Sequence, residues 1–196
     1  MSRTDWDAYS TFYLEEAWDY FADLPALGWG MPLGLSVLEV GVGNGRIANL
    51  FAPRARRYVG IDISHGMLGL MPIECARHMD IVQGDFMHFA CNEVFDRVLM
   101  PYRVLHYLTP WEQALEKGWS FLAPGGMLFI DIQLGAKKEE WIGPLDKKIL
   151  RIRQVIAERE ISVCLESIGF KLVHATKSMN ILTLWLEKPR LSPIDA

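Results

Sequence analysis

Cysteine is scarce in this chain of 196 residues. There are three, Cys75, Cys91 and Cys164, far apart and in no C-x-x-C arrangement. That argues against a disulfide framework and against a zinc site, and for reduced packing cysteines in a reducing compartment. No apolar run approaches the roughly 20 residues that cross a bilayer. The opening stretch, MSRTDWDAYS, carries acids and lacks the apolar core of a secretory signal. A cytoplasmic protein with no membrane contact is expected. No segment is rich in lysine or arginine and the net charge is −4, so the basic footprint of a nucleic-acid surface is missing. Repeats and low-complexity segments are missing too. What remains is 51% apolar and 22% charged residues, the balance of one α/β domain with its own core and little room for a second.

The chain then alternates two periods. Residues 5–24 repeat Trp6, Tyr9, Tyr13, Ala17 and Tyr20 at threes and fours, with Phe12 and Phe21 widening the stripe, which predicts a helix. PALGWGMPLG breaks it. LSVLEVG, RYVGIDIS, DIVQGD, FDRVLMPY and GMLFIDIQL read as five strands, with helices begun by IANLFA and HGMLGLM between them. Residues 109–122 predict a helix opened by a T-x-x-E capping box, Thr109 to Glu112, with Pro110 at its first position. Trp111, Leu115, Trp119 and Leu122 form its buried face, and the turn APGG follows. Residues 144–168 read as mostly helical and end at Gly169 as a C-cap. FKLVHAT and ILTLWLE close the chain. The link between them, KSMN, is too short for a crossover, so they should pair as an antiparallel hairpin. The expected fold is α/β, Rossmann-like and doubly wound: a mostly parallel seven-stranded sheet with helices on both faces.

Where the first strand should hand over to a helix, the sequence reads LEVGVGNGRIANLF. Glycine costs about 0.5–1 kcal/mol in regular structure, so three close together ask for a reason. In an open parallel sheet, ligands bind beyond the carboxyl ends of the strands, and glycines let backbone approach them. Asp62 ends the second strand, about 20 residues on, where an acid binds a ribose diol. A nucleoside-containing ligand follows. The spacing Gly41, Gly43, Gly45 puts Arg46 where the dinucleotide fingerprint needs its third glycine, and no Gly-Lys-Ser/Thr follows for a P-loop.

Glu39 stands two residues before Gly41, Gly84-Asp85-Phe86 ends the third strand and PGG precedes the fifth. This ordered set resembles the class I S-adenosylmethionine-dependent methyltransferases over roughly residues 35–133. The stretch LMPYRVLHYLTPWEQALEKGWSFLAPGGMLFIDI, with its His-x-Leu-Thr-Pro helix start, looks like a small-molecule branch of them. The resemblance implies a cofactor, S-adenosylmethionine, with S-adenosylhomocysteine as product. It implies that Gly41, Gly43 and Gly45 lie under the methionine part, supported by Glu39. Asp62 takes the ribose hydroxyls, and Ile63 and Met67 line the adenine. Asp85 and Phe86 read the adenine edge and face, and Met100 offers backbone at the methionine end. No metal is implied.

One domain over residues 1–196 is expected, with a helical lid (1–30), a cofactor-binding core (35–133) and a C-terminal helix and hairpin (134–196). The fifth strand and the last helix are joined by a short link, LGAKKEEWIGPLDKK, so the aromatic N-terminal helix is the main candidate to cover the site. Aromatic faces suit a sulfonium cation. The bland alternative is that this helix only packs on the sheet. Tyr102 and His106 follow the fourth strand. If that segment is helical they share a face, with His106 as a base and Tyr102 orienting the acceptor. A purely structural, hydrogen-bonded His106 is the competing reading. Asp62 could instead cap the following helix, Asp85 could be a turn residue, and Met67 and Phe86 could be ordinary core. Lys147, Lys148, Arg151 and Arg153 read as a solvated helix face ahead of an anion site. The function expected is methyl transfer to an O, N or C nucleophile of a small molecule, by a monomer or homodimer. A cofactor-binding regulatory or scaffold protein is the alternative, as is another reaction on the same fold.

Overall fold

The computed structural model describes residues 4–13, 30–31, 33–142 and 148–190. Helix α1 spans Trp6–Tyr13. The rest of the helix expected over 5–24 lies outside the described residues. Strand β1 (Ser36–Val40) is buried along its whole length because β2 (Arg57–Asp62) and β4 (Phe95–Met100) flank it, both parallel to it. Between them come helices α2 (Ala48–Phe51), α3 (His65–Gly69) and α4 (Ile73–Ala76) and strand β3 (Asp80–Gln83). Helix α5 (Trp111–Ser120) leads into β5 (Leu122–Gln133). Strands β6 (Glu139–Ile142) and β7 (Ile149–Ile152), helix α6 (Glu158–Ile168), and strands β8 (Lys171–Ser178) and β9 (Ile181–Glu187) complete the chain.

The main sheet has seven strands in the order β3-β2-β1-β4-β5-β9-β8, and β9 runs antiparallel to both its neighbours. This is the expected doubly wound sheet with its C-terminal hairpin. Strand alternation sends side chains to opposite faces. Leu38, Val98 and Ile130 pack with Leu115 of α5 and Ile161 and Leu165 of α6. Val37, Leu99 and Phe129 pack on the other face with Ala48 of α2 and Cys75 of α4. The chain order reverses between β1 and β4, so a crevice opens beyond their carboxyl ends.

Three local expectations are corrected. Helix α5 starts one residue late, because Pro110, extended at φ −74° and ψ 142°, is itself the N-cap and no side chain caps the helix. The Thr109 capping box does not form, and Leu122 belongs to β5. The APGG turn is a loop-out within β5: Phe95 faces Leu122 and Arg97 faces Met127, so β5 advances five residues while β4 advances two. The third correction matters most. Of the described residues 148–168, only α6 is helical, and 144–147 lie outside the described residues. Residues 149–152 form β7, which pairs antiparallel with β6 in a separate two-stranded sheet. Glycine 169 does end α6, in the left-handed conformation at φ 99°.

Candidate active site

The crevice at the strand reversal opens into a cavity of about 910 Å³, near the upper end of the roughly 300–1,000 Å³ of small-molecule sites. The loop after β1 forms its floor. Gly41 sits at φ +74°, and a Cβ on it would come within 2.5 Å of the Val104 side chain. Gly43 sits at φ +53°, and its N–H donates to Asp62 Oδ2 at 2.8 Å. Both positions need glycine: the left-handed region disfavours other residues, and Val104 leaves no space at the first. Gly45, at φ +77°, answers to packing, since its Cβ would meet Cys75 Sγ at 2.9 Å.

Asp62 accepts from Gly43 N and, through Oδ1, from Ser64 N at 2.8 Å. The cap of α3 is Ser64, whose Oγ accepts from Met67 N. Asp62 therefore fixes the loop and the helix entry while lining the cavity, and a carboxylate has about four acceptor sites to share. Burial raises its pKa, against the lowering pull of those backbone donors. Glu39 is 1% exposed and accepts from the Tyr58 hydroxyl at 2.6 Å. Burial pushes its pKa up to about 8, with the Tyr58 hydrogen bond opposing and Asp62 adding to the rise. Ile63, Met67, Asp85 and Phe86 line the same end. Asp85 Oδ1 accepts from Met87 N at 2.9 Å, so it is a turn residue and a wall residue at once. Phe86 is buried against Phe121, with ring centroids 6.2 Å apart. Gly45 and Met100 do not line the cavity; the Met100 side chain is fully buried in the core.

The opposite wall begins after β4. Tyr102 and Arg103 both have positive φ, 56° and 62°, a strain of about 1–3 kcal/mol each for non-glycine residues. Asp131 holds the distortion from within β5. Fully buried, it accepts from Arg103 N at 2.8 Å and lies 3.6 Å from the guanidinium. The Arg46 guanidinium stands 5.6 Å over the Tyr102 ring.

His106 has no exposure. Gln133 N donates to its Nε2 at 3.0 Å, so the proton is on Nδ1, which donates to Gln154 O at 2.7 Å. Both nitrogens are occupied by backbone, and burial lowers its pKa. This corrects the reading of His106 as a base: it is a clasp joining the post-β4 turn, β5 and the chain after β7.

The short link expected after β5 is the third wall. Lys138, Glu139, Ile142, Arg151, Ile152 and Arg153 all line the cavity from β6, β7 and their flanks. Arg151 and Arg153 are thus not on a solvated helix face. Lys148 is exposed and Lys147 lies outside the described residues. The legible signal was the alternation Leu150-Arg151-Ile152-Arg153, a strand period. Helix α1 lies across the top. Thr4 exchanges hydrogen bonds with the Ile152 backbone at 3.0 and 2.8 Å, and Asp7 accepts from Ser64 Oγ and Gly66 N at 2.6 and 2.8 Å. Trp6 meets Tyr107 edge-on at 4.8 Å.

The doubly wound sheet, with a glycine loop after β1 and an acid ending β2 at the strand reversal, is a Rossmann-like fold with a crevice where such folds bind ligands. Comparison with known proteins agrees. Residues 37–126 match the family described as "Methyltransferase domain". An uncharacterized methyltransferase of Bacillus mycoides (strain KBAB4) is 30% identical over 95 residues, which are 47% of this chain and 44% of that protein. The match therefore spans less than half the length of such curated relatives. Among solved structures, DhpI in complex with SAH has a TM-score of 0.76 at 20% identity, over 94% of this chain and 93% of that one. Burkholderia thailandensis 1,6-didemethyltoxoflavin-N1-methyltransferase, bound to 1,6-didemethyltoxoflavin and S-adenosylhomocysteine, has 0.66 at 16%, over 93% and 88%. The chain shares the Rossmann-like fold of these methyltransferase structures, and its residues 37–126 are similar to the methyltransferase domain.

Proposed function

We propose that this chain is an enzyme that moves a methyl group from S-adenosylmethionine to an O, N or C nucleophile of a small molecule. The observation that carries the reading is the continuous cavity. One end is a glycine floor with the buried Glu39 carboxyl and the half-buried Asp62 carboxyl; the other is an aromatic and basic wall with room for a second molecule. The residues fit the cofactor. Gly41 and Gly43 leave backbone open where a Cβ would intrude. Asp62 keeps acceptor capacity for ribose hydroxyls beside its backbone donors, and Glu39 is a buried carboxyl that a neighbouring cation would ionise. Ile63, Met67 and Phe86 offer apolar surface to an adenine, with Asp85 at its amino edge. Gly45 supports the loop through its turn, whereas Met100, buried in the core and absent from the cavity wall, takes no part in this reading. The family match and the S-adenosylhomocysteine bound by the neighbouring structures support the same assignment.

Once bound, S-adenosylmethionine supplies an electrophilic methyl on a sulfonium centre. The protein's contribution is to hold the acceptor in line and keep the site dry. Trp6 and Tyr9 cover it, and Tyr102 orients the acceptor from the strained turn after β4. The test is turnover of S-adenosylmethionine to S-adenosylhomocysteine by the purified protein with a fractionated small-molecule extract. Turnover in some fraction is expected. Tight cofactor binding with none in any fraction would overturn the enzyme reading in favour of a regulatory or scaffold protein.

A further inference from the structure

The adenine end of the cavity hangs on one short turn. Strand β3, which leads into it, is an edge strand of four residues. Residues Phe86–His88 then make a single 3-10 turn, with Asp85 as its N-cap and Asp85 Oδ1 accepting from Met87 N. Gly84, Asp85, Phe86 and Met87 all line the cavity. The backbone bonds of the turn end on Asp85 O, which accepts from His88 N at 2.9 Å and Phe89 N at 3.1 Å, and on Phe86 O. The hydrogen-bond geometry of such turns is poor, so one of this size takes its place from what it packs on.

What holds it comes from α5. Lys117 Nζ donates to Met87 O at 3.0 Å, and the same ammonium lies 5.6 Å from the centre of the Phe86 ring and 6.0 Å from that of Phe121. Lys117 is half-buried and is not on the cavity wall, whereas Phe86 is. It therefore meets the ring from the protein side. A cation in the last turn of a helix commonly serves the helix end. Here Lys188 does that, donating to Trp119 O at 3.1 Å and Leu122 O at 2.9 Å, and Lys117 is turned to the loop instead. Among the described residues its partners are that carbonyl and those two rings, not a carboxylate. A half-buried charge needs such partners, so the lysine and the turn fix one another.

We infer that Lys117 is a positioning residue for the cofactor's base: it holds the turn Asp85–His88 where Asp85 meets the amino edge of adenine and Phe86 its face. The inference rests on the methyltransferase reading and deepens it. Lys117 acts only through Met87 and Phe86. Its bond bears directly on Asp85, since Met87 N–H donates to the Asp85 carboxylate while Met87 C=O accepts from Lys117. A carboxylate discriminates an amino group from an oxo group at the same ring position only while it stands within hydrogen-bond reach. Loss of the lysine lets the turn drift, and adenine then loses its advantage over a 6-oxo purine.

The test is calorimetry on the full chain with S-adenosylhomocysteine and its 6-oxo counterpart, S-inosylhomocysteine. The parent should prefer the amino compound at least about tenfold, the lower worth of a hydrogen bond to a charged group. Lys117→Met keeps the apolar stem of the side chain and removes the donor and the charge. It should cut that preference at least about threefold, part of the same bond's worth, chiefly by weakening S-adenosylhomocysteine. A lysine that merely packs would leave the preference as it is, whatever the change in stability. If Lys117→Met fails to fold, Lys117→Gln, which also lacks the charge, decides alone. A smaller fall in preference, an equal loss of both ligands, or a parent without preference would overturn the inference while leaving the cofactor reading in place. Failure of S-adenosylhomocysteine to bind the parent would overturn the cofactor reading, and this inference with it.

Discussion

His106 stands in the cavity wall with both ring nitrogens bonded to backbone, so replacing it removes two buried hydrogen bonds rather than a base. His106→Ala should lower stability by about 1–3 kcal/mol for each group left unsatisfied, Gln133 N–H and Gln154 C=O. Urea denaturation reads this directly. The parent's kcat should show no limb near the ordinary imidazole pKa, because burial lowers that pKa and Gln133 occupies the lone pair. A limb near 6.5 that vanishes in His106→Gln without loss of stability would restore the histidine as base. Residues such as Gly41, Gly43 and Asp62 were legible in the sequence because their positions are local: a strand end and the turn that follows. The tie on His106 was not, since its partners lie 27 and 48 residues away. Glu39 was legible as an acid beside the loop, but its burial and its bond to Tyr58 needed the register of β1 with β2.

Helix α1 and the β6–β7 pair enclose the cavity together, through the Thr4–Ile152 hydrogen bonds and an apolar cluster of Tyr9 and Met67 against which Ile142 and Ile149 pack. These are small elements; β6 and β7 have four residues each, and short exposed units of this kind open easily. Adding S-adenosylhomocysteine should slow amide exchange in residues 6–13 and 149–152 together. Slowing in neither, where exchange in the free protein is measurable, would mean that they do not close on the ligand. The sequence announced the aromatic stripe of α1 because Trp6 and Tyr9 keep the helical period. It concealed the hairpin because KKILRIRQVIAERE holds both periods at once, and only the pairing of Trp141 with Leu150 and Glu140 with Arg151 decides between them. Arg151 and Arg153 were assigned to solvent for that reason alone. The capping box at Thr109 failed for a different reason: Pro110 takes the cap position, and proline has no side-chain acceptor.

Across the whole molecule, the mostly parallel sheet was legible because strand and helix patterns alternate until the end, where a four-residue link forces antiparallel pairing; the order of its strands was not. The glycine loop then falls at the reversal between β1 and β4. That arrangement has a thermodynamic consequence through Glu39. In the folded, ligand-free protein its carboxyl holds a proton up to about pH 8, whereas its ordinary value is 4.5. Between those values the folded state binds more protons than the unfolded one, so stability falls as pH rises from about 4.5 to about 8. Glu39→Gln should flatten this slope; denaturation midpoints of parent and variant at pH 5 and pH 8 measure the difference. An identical slope in the two proteins would mean that Glu39 is ionised when folded. The central claim, that the loop after β1 carries S-adenosylmethionine, is tested most directly by calorimetric titration of that cofactor into the parent and into Gly43→Val. A valine there must adopt φ near +53° with its Cβ 3.3 Å from Met67 Cε, in the space between the loop and Asp62. The account predicts one-to-one binding by the parent and none measurable by the variant, with an unchanged circular dichroism spectrum. Equal affinity in the two proteins would contradict it.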